Sequence, residues 1–223
     1  MIKTLFLDAD DTVFDFAKAQ RAALFSAFES LGYPIDENIY KIYDQINISY
    51  WKKLERGETS KEKLVFDRFT DLFAITGMSG DEIRAEEAYQ SRLGTYAFWW
   101  EGAKEGMAYL SQKYDIFILT NGHGDTQVSR VRRSGLNAYI KGLFVSELVG
   151  YAKPQKEYYD YCFARSGADK ATTVCVGDSL TSDIKGGRDY GLKTLWCNFK
   201  GEKETGAEAD WIAHDWKELT TIL

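Results

Sequence analysis

From about residue 15 to about residue 98 the chain holds no convincing strand, yet an apolar strand precedes that block and strands alternate with helices after it. This order constrains the fold more than any other feature. Strands alternating with helices argue for a parallel sheet covered by helices on both faces, with ligands at the carboxyl ends of the strands. The opening run, residues 2–7, is broken only by Lys3 and Thr4 and is too short for a helix, so it belongs to that sheet. The helical block is then an insertion after the first strand, a cap over the site rather than a consecutive domain. The expected division is 1–14 with 99–223 for an α/β core and 15–98 for an all-helical cap.

Within the block, apolar stripes at helical spacing mark four helices. Ala17, Leu24, Phe28 and Leu31 form the first, which should stop at Gly32 before Pro34. Ile39, Ile42, Tyr43, Ile46, Tyr50 and Leu54 form the second, closed by Gly57. Thr59 or Ser60 can cap a third carrying Val65, Phe69, Leu72 and Phe73 and ended by Gly77, and Ser79 a fourth that runs out near Gly94. After Trp99 the pattern predicts a helix over 103–113, a strand over 116–119, a helix over 126–134 and a strand over 142–145. Pro154 is expected to open a helix reaching residue 166, followed by a strand over 173–176, a helix, a strand over 194–197 and a last helix from Trp216.

Composition narrows the function classes. The chain has 223 residues, is 44% hydrophobic, and carries 34 acids against 28 bases for a net charge of −6, which argues against a nucleic acid polymer as partner. No run of about 20 apolar residues could span a bilayer, and the short N-terminal apolar run leads straight into acids, unlike a signal peptide. The cytoplasm is the expected location. Cys162, Cys175 and Cys197 lack metal or redox spacing and read as reduced, buried thiols. With only His123 and His214 available, any metal must be held by oxygen.

Chemistry collects where strands end. Leu5-Phe6-Leu7-Asp8-Ala9-Asp10-Asp11-Thr12 places three acids after a strand, where they would repel one another unless a cation lay between them, although Asp10 or Asp11 could simply cap a helix. Leu119-Thr120-Asn121-Gly122 offers a hydroxyl, an amide and backbone N–H groups suited to an anion, or a self-bonded turn. Lys153-Pro154 precedes a helix, where a lone lysine is usually solvated. Gly177-Asp178-Ser179-Leu180-Thr181-Ser182-Asp183 sets two acids five residues apart; they could complete a metal site with Asp8, or Asp178 or Ser179 could cap a helix.

In order and placement the four stretches resemble the haloacid dehalogenase (HAD) superfamily of aspartate-nucleophile hydrolases, over nearly the whole chain. Asp8-x-Asp10-x-Thr12 resembles its first motif, Thr120 the second, Lys153 the third, and Gly177-Asp178 with Asp183 the fourth. The insertion resembles a C1-type cap, and Asp8-Ala9-Asp10-Asp11-Thr12 with Thr120-Asn121-Gly122 looks most like the pyrimidine 5′-nucleotidase branch. The resemblance implies a Rossmann-like core and a Mg²⁺-dependent phosphomonoester hydrolase. In that implied site Asp8 is the nucleophile, Asp10 the acid and base, and Thr120, Asn121 and Lys153 hold the phosphate. Asp8, Asp10 (by its carbonyl) and Asp178 hold the metal, and Asp183 supports the metal shell. The implied partner is a small phosphorylated metabolite, a nucleoside 5′-monophosphate in this branch. Alternatives are a sugar-phosphate phosphatase or phosphomutase, or a catalytically silent phosphometabolite-binding regulator. Gln155-Lys156 departs from the second proline many members carry after the lysine. Of the aromatics near the site, Phe14 and Phe16 lie best placed to stack on a base, Trp99-Trp100 should pack at the return to the core, and His123 should start a helix in solvent. Asp11 is expected to stabilise the turn into the insertion.

Overall fold

The structure, a computed structural model, describes residues 1–223. The chain forms two compact units, one of Met1–Phe16 with Ala97–Leu223 and one of Ala17–Tyr96. In chain order the elements are β1 (Thr4–Leu7), α1 (Phe16–Leu31), α2 (Glu37–Glu55), α3 (Lys61–Thr76), α4 (Glu82–Leu93), α5 (Ala103–Leu110), β2 (Asp115–Thr120) and α6 (Gly124–Ser134). They continue with β3 (Gly142–Val145), α7 (Ser146–Val149), α8 (Lys156–Ser166), β4 (Thr173–Gly177), α9 (Lys185–Tyr190), β5 (Lys193–Cys197), β6 (Trp211–Ala213) and α10 (Trp216–Ile222). No helix is long and apolar enough to cross a membrane.

All six strands of the first unit are parallel, in the order β3-β2-β1-β4-β5-β6. The strand period of two sends neighbouring residues to opposite faces. Leu5 and Leu7 join Ile116, Ile118, Val174 and Val176 against Met107 and Leu110 of α5 and Trp216 of α10. Phe6 joins Phe117, Leu119 and Cys175 on the other face against Tyr158, Tyr159 and Cys162 of α8. Each such side chain withdrawn from water contributes ~1.5–3 kcal/mol, so both faces hold the central strands in register. The α/β core with helices on both faces is therefore as the element order implied, and all three cysteines are free and buried.

Two local expectations are corrected and one strand is added. Pro154 does not open α8. The Ala152 N–H donates to Gln155 Oε1 at 2.9 Å and the Gln155 N–H to the Ala152 carbonyl at 2.8 Å, so a closed turn occupies 152–155 and the helix starts at Lys156. Strand β6, only three residues long, went unread because it follows a loop of charged residues and adds at the sheet edge beside β5. Ser79 does not cap α4; Asp81 does, accepting from Ile83 N and Arg84 N at 3.0 Å each.

The second unit contains the inserted helices. Ser60 caps α3 and Asp36 caps α2, and Gly77 ends α3 at φ 68°, a left-handed geometry glycine adopts without penalty. Phe28, Tyr43, Phe69 and Tyr89 interlock in its core at centroid separations of 5.3–6.2 Å. The buried face of α2 is Tyr43, Asn47 and Tyr50, one step round the helix from the isoleucines that periodicity favoured. Asn47 turns inward because Arg68 and Gln20 are buried there and require a partner.

Candidate active site

Because the sheet is parallel, the residues after β1, β2 and β4 reach one rim. Asp8 leaves β1 with its N–H donated to the Val176 carbonyl of β4 at 2.8 Å. Thr120 ends β2, and Asp178 follows β4 with its carbonyl accepting from Trp196 Nε1 at 2.7 Å. The helical stretch after β4 returns Asp183 toward the strand: its carboxylate accepts from the Ser179 N–H at 3.2 Å. A Cβ on Gly177 would lie 2.3 Å from Asp183 Cγ, so only glycine permits this approach.

Lys153 enters from the loop before α8 and is buried. Its ammonium donates to Asp8 Oδ1 at 2.5 Å, Asp183 Oδ1 at 2.7 Å and the Leu119 carbonyl at 2.8 Å, which uses all three N–H bonds. Burial opposes the charge on Lys153, but Asp183 and Asp8 outweigh it and hold the ammonium protonated well above its ordinary range. The backbone of Lys153 is fixed by the Asn121 side chain, which accepts from Lys153 N and donates to Lys153 O, each at 2.9 Å. Asn121 therefore places the lysine, a role its sequence position did not reveal.

Carboxylate oxygens of Asp8, Asp178 and Asp183 all lie within 4.8 Å of one another. Burial raises Asp8 to about 8 despite the attraction of Lys153, with Asp183 and Asp10 adding to the rise. Burial likewise lifts Asp178 well above the carboxylate range, reinforced by Asp11, Asp8 and Asp183. Acids gathered out of water resist ionisation, and a hard divalent cation with oxygen ligands reverses that balance. The donor set fits such an ion.

The side chain of Asp10 points to α6 instead. Its Oδ1 accepts from Arg130 Nη1 in an ion pair, and its Oδ2 accepts from Gln127 Nε2 at 2.5 Å. Sequence reasoning missed both residues. Their signal was polar side chains at i and i+3 beside Val131, on the face of α6 that is buried. Asp11 adopts a positive φ of 60°, accepts from Phe16 N at 3.3 Å and pairs with Lys200 at 2.6 Å, tying the turn that leads into α1.

Phe14 is not available to a ligand. It is wholly buried, edge-on to Trp99 at 5.5 Å and under the Arg130 guanidinium at 5.1 Å. Phe16 is half-buried, and His123 stands at the N-cap of α6. Trp99 also meets Tyr139 and Trp100 meets Phe199, so both tryptophans pack within the first unit.

Residues 2–191 match the model of the haloacid dehalogenase-like hydrolase family. The chain is 39% identical over 197 residues to the HAD-hydrolase YfnB of Bacillus subtilis, covering 88% of this chain and 84% of that one. It is 33% identical over 225 residues to the pyrimidine 5′-nucleotidase PynA of Streptococcus pneumoniae, covering 99% and 94%. The crystal structure of B. subtilis YfnB bound to magnesium superposes with a TM-score of 0.95 at 35% identity, covering 100% of this chain and 98% of that one.

Proposed function

The chain belongs to the haloacid dehalogenase-like hydrolases, and from that premise we propose that it is a Mg²⁺-dependent phosphomonoester hydrolase acting on nucleoside 5′-monophosphates. The observation that carries the reading is the pairing of two acids with different surroundings on one loop. Asp8 sits among Lys153, Asp178 and Asp183, while Asp10 is held apart by Arg130 and Gln127 beside Thr120. A nucleophile needs no partner acid when a halide leaves, but an alkoxide leaving group needs a proton.

In this reading Asp8 attacks phosphorus and forms an aspartyl-phosphate as the bond to the leaving oxygen breaks. Asp10 gives that oxygen its proton, then takes one from the water that hydrolyses the acyl phosphate. Thr120, the Asn121 N–H and Lys153, whose N–H to Asp8 is released as Asp8 bonds to phosphorus, hold phosphoryl oxygens where negative charge builds. Asp8, Asp178 and the Asp10 carbonyl would hold Mg²⁺, with Asp183 supporting them through Lys153; the ion supplies neutralising charge to the phosphate and nucleophile. The magnesium bound by YfnB supports the choice of ion.

Two relatives named pyrimidine 5′-nucleotidases, PynA at 33% identity and YjjG of Escherichia coli at 28%, support the nucleotide class. The competing reading, a sugar-phosphate phosphatase, draws on more distant relatives named N-acylneuraminate-9-phosphatase and glyceraldehyde 3-phosphate phosphatase, at 26% and 25% identity. A panel of phosphorylated metabolites assayed with Mg²⁺ separates the two: pyrimidine nucleoside monophosphates should give the highest kcat/KM. A preference for sugar phosphates would reverse the assignment of substrate. Asp8→Asn should abolish turnover while the protein stays folded, and phosphate release at the normal rate by that variant would refute the mechanism. No hydrolysis of even an activated aryl phosphate by the native protein would favour a silent binding role.

A further inference from the structure

We propose that Gln127 and Arg130 of α6 form a positioning clamp that aims both the Asp10 carboxylate and the hydroxyl hydrogen of Thr120; the inference rests on the phosphomonoesterase reading above. The Gln127 amide sits at the centre of the clamp. Its nitrogen donates to Asp10 Oδ2 at 2.5 Å and to Thr120 Oγ1 at 3.0 Å, while its oxygen accepts from Arg130 Nη1 at 3.2 Å. A guanidinium can only donate, so it must face the amide oxygen. That fixes which end of the amide meets Asp10 and Thr120.

The consequence for Thr120 follows from counting lone pairs. Its hydroxyl oxygen accepts from Gln127 and from the Gly122 N–H at 3.1 Å, and both acceptor sites are then filled. The hydroxyl hydrogen is left to donate elsewhere, as a phosphoryl oxygen requires. For Asp10, Arg130 takes one carboxylate oxygen and Gln127 the other, so the rotamer is held from both sides.

Two further features keep the clamp rigid. Arg130 is wholly buried, with its guanidinium 5.1 Å from the Phe14 ring centroid and 5.9 Å from that of Phe16. A Cβ on Gly122 would fall 2.1 Å from Gln127 Nε2. Glycine at 122 thus leaves the space in which the amide lies, and a larger residue must displace it.

The step served is proton transfer. As the Asp8 oxygen–phosphorus bond forms, the bond to the leaving oxygen breaks, its electron pair stays on that oxygen, and Asp10, entering the step protonated on a lone pair that Arg130 and Gln127 leave free, delivers that proton to it. An alkoxide needs that proton far more than a stabilised phenolate does. Misaiming Asp10 should therefore slow alkyl esters selectively, whereas general damage to the site should slow every ester alike.

The test compares the full-length protein with its Gln127→Met, Arg130→Met and Gly122→Ala variants, assayed with Mg²⁺ on an alkyl phosphate monoester and on p-nitrophenyl phosphate. Each variant should lose about 100-fold in kcat on the alkyl ester, the scale of general acid catalysis, and less than about 10-fold on the aryl ester, where only the loosened Thr120 hydrogen bond to phosphate is felt. Arg130→Lys, which keeps the positive charge on a single donor nitrogen, should recover part of the alkyl-ester rate. Equal loss on both esters, or no loss on either, overturns the clamp. If Arg130→Met fails to fold, Gln127→Met carries the same comparison. A native protein inert toward both esters overturns the phosphatase reading and the clamp with it, whereas an active native protein with unselective variants overturns the clamp alone.

Discussion

Replacing Arg68 by methionine should destabilise the inserted helical unit by about 3–5 kcal/mol, the usual cost of removing one partner from a buried ion pair. Arg68 lies on α3 with its side chain 2% exposed, paired with Glu86 of α4 at 7%. Its Nη1 donates to Asn47 Oδ1 at 2.8 Å, Asn47 Nδ2 donates to Gln20 Oε1 at 2.6 Å, and Gln20 Nε2 donates to Asp44 Oδ1 at 2.7 Å. One cation thus organises polar groups from four helices. The guanidinium also lies 5.0 Å from the Tyr89 ring centroid and 5.3 Å from that of Phe69. Methionine keeps the apolar stem but strands the Glu86 carboxylate and the Asn47 carbonyl out of water. Hydrogen exchange in α2, α3 and α4 reads the effect locally: about 3 kcal/mol corresponds to opening roughly 100-fold more often. Adding Glu86→Gln to Arg68→Met should cost much less than Glu86→Gln costs alone, because the charge it removes has already lost its partner. A fall below about 1 kcal/mol for Arg68→Met, or strictly additive effects in the double variant, would refute the reasoning.

Gly177→Ala places a methyl group 2.3 Å from Asp183 Cγ and should push Asp183 away from Lys153 and the other acids. We expect a loss of ~1–3 kcal/mol in thermal unfolding and ~10–100-fold weaker Mg²⁺ binding by titration, and an unaltered Mg²⁺ affinity would contradict the placement. His214 lies between Glu204 at 2.7 Å and Glu218 at 2.8 Å, and these hydrogen bonds raise its pKa above the ordinary 6.5. The protonated form is the one the fold favours, so its stabilising contribution is full below pH 6.5 and is lost as pH rises through the elevated midpoint. An NMR titration of His214 should give a midpoint above 6.5 that falls in Glu204→Gln; a midpoint at or below 6.5 in the native protein counts against the bridge.

The candidate residues were legible only as a set, because acids, a hydroxyl and a lysine recur at four strand ends in a known order, while each stretch alone also read as a helix cap, a turn or a solvated lysine. What could not be read was which side chain would hold which. Asn121 was read for its backbone N–H, and nothing local showed that its side-chain amide clasps the Lys153 backbone 32 residues away. Gln127 and Arg130 looked like ordinary helix residues, and their partner Asp10 lies 117 and 120 positions earlier. Phe14 looked accessible because it follows the acids, but chain proximity says nothing of burial, and the Trp99 and Arg130 that cover it come from other parts of the chain.

The order and type of the elements came from the sequence: short continuous apolar runs in β1, β2 and β4, a 3.6-residue period in the inserted helices, and one long helical block after the first strand. Those are local properties, set by which face each side chain takes on its own strand or helix. Only the tertiary structure decided the polar pairings. Lys153 with Asp8 and Asp183, Arg130 with Asp10, and Arg68 with Glu86 are all buried, and a buried charge is tolerated only beside a partner that folding brings from elsewhere in the chain.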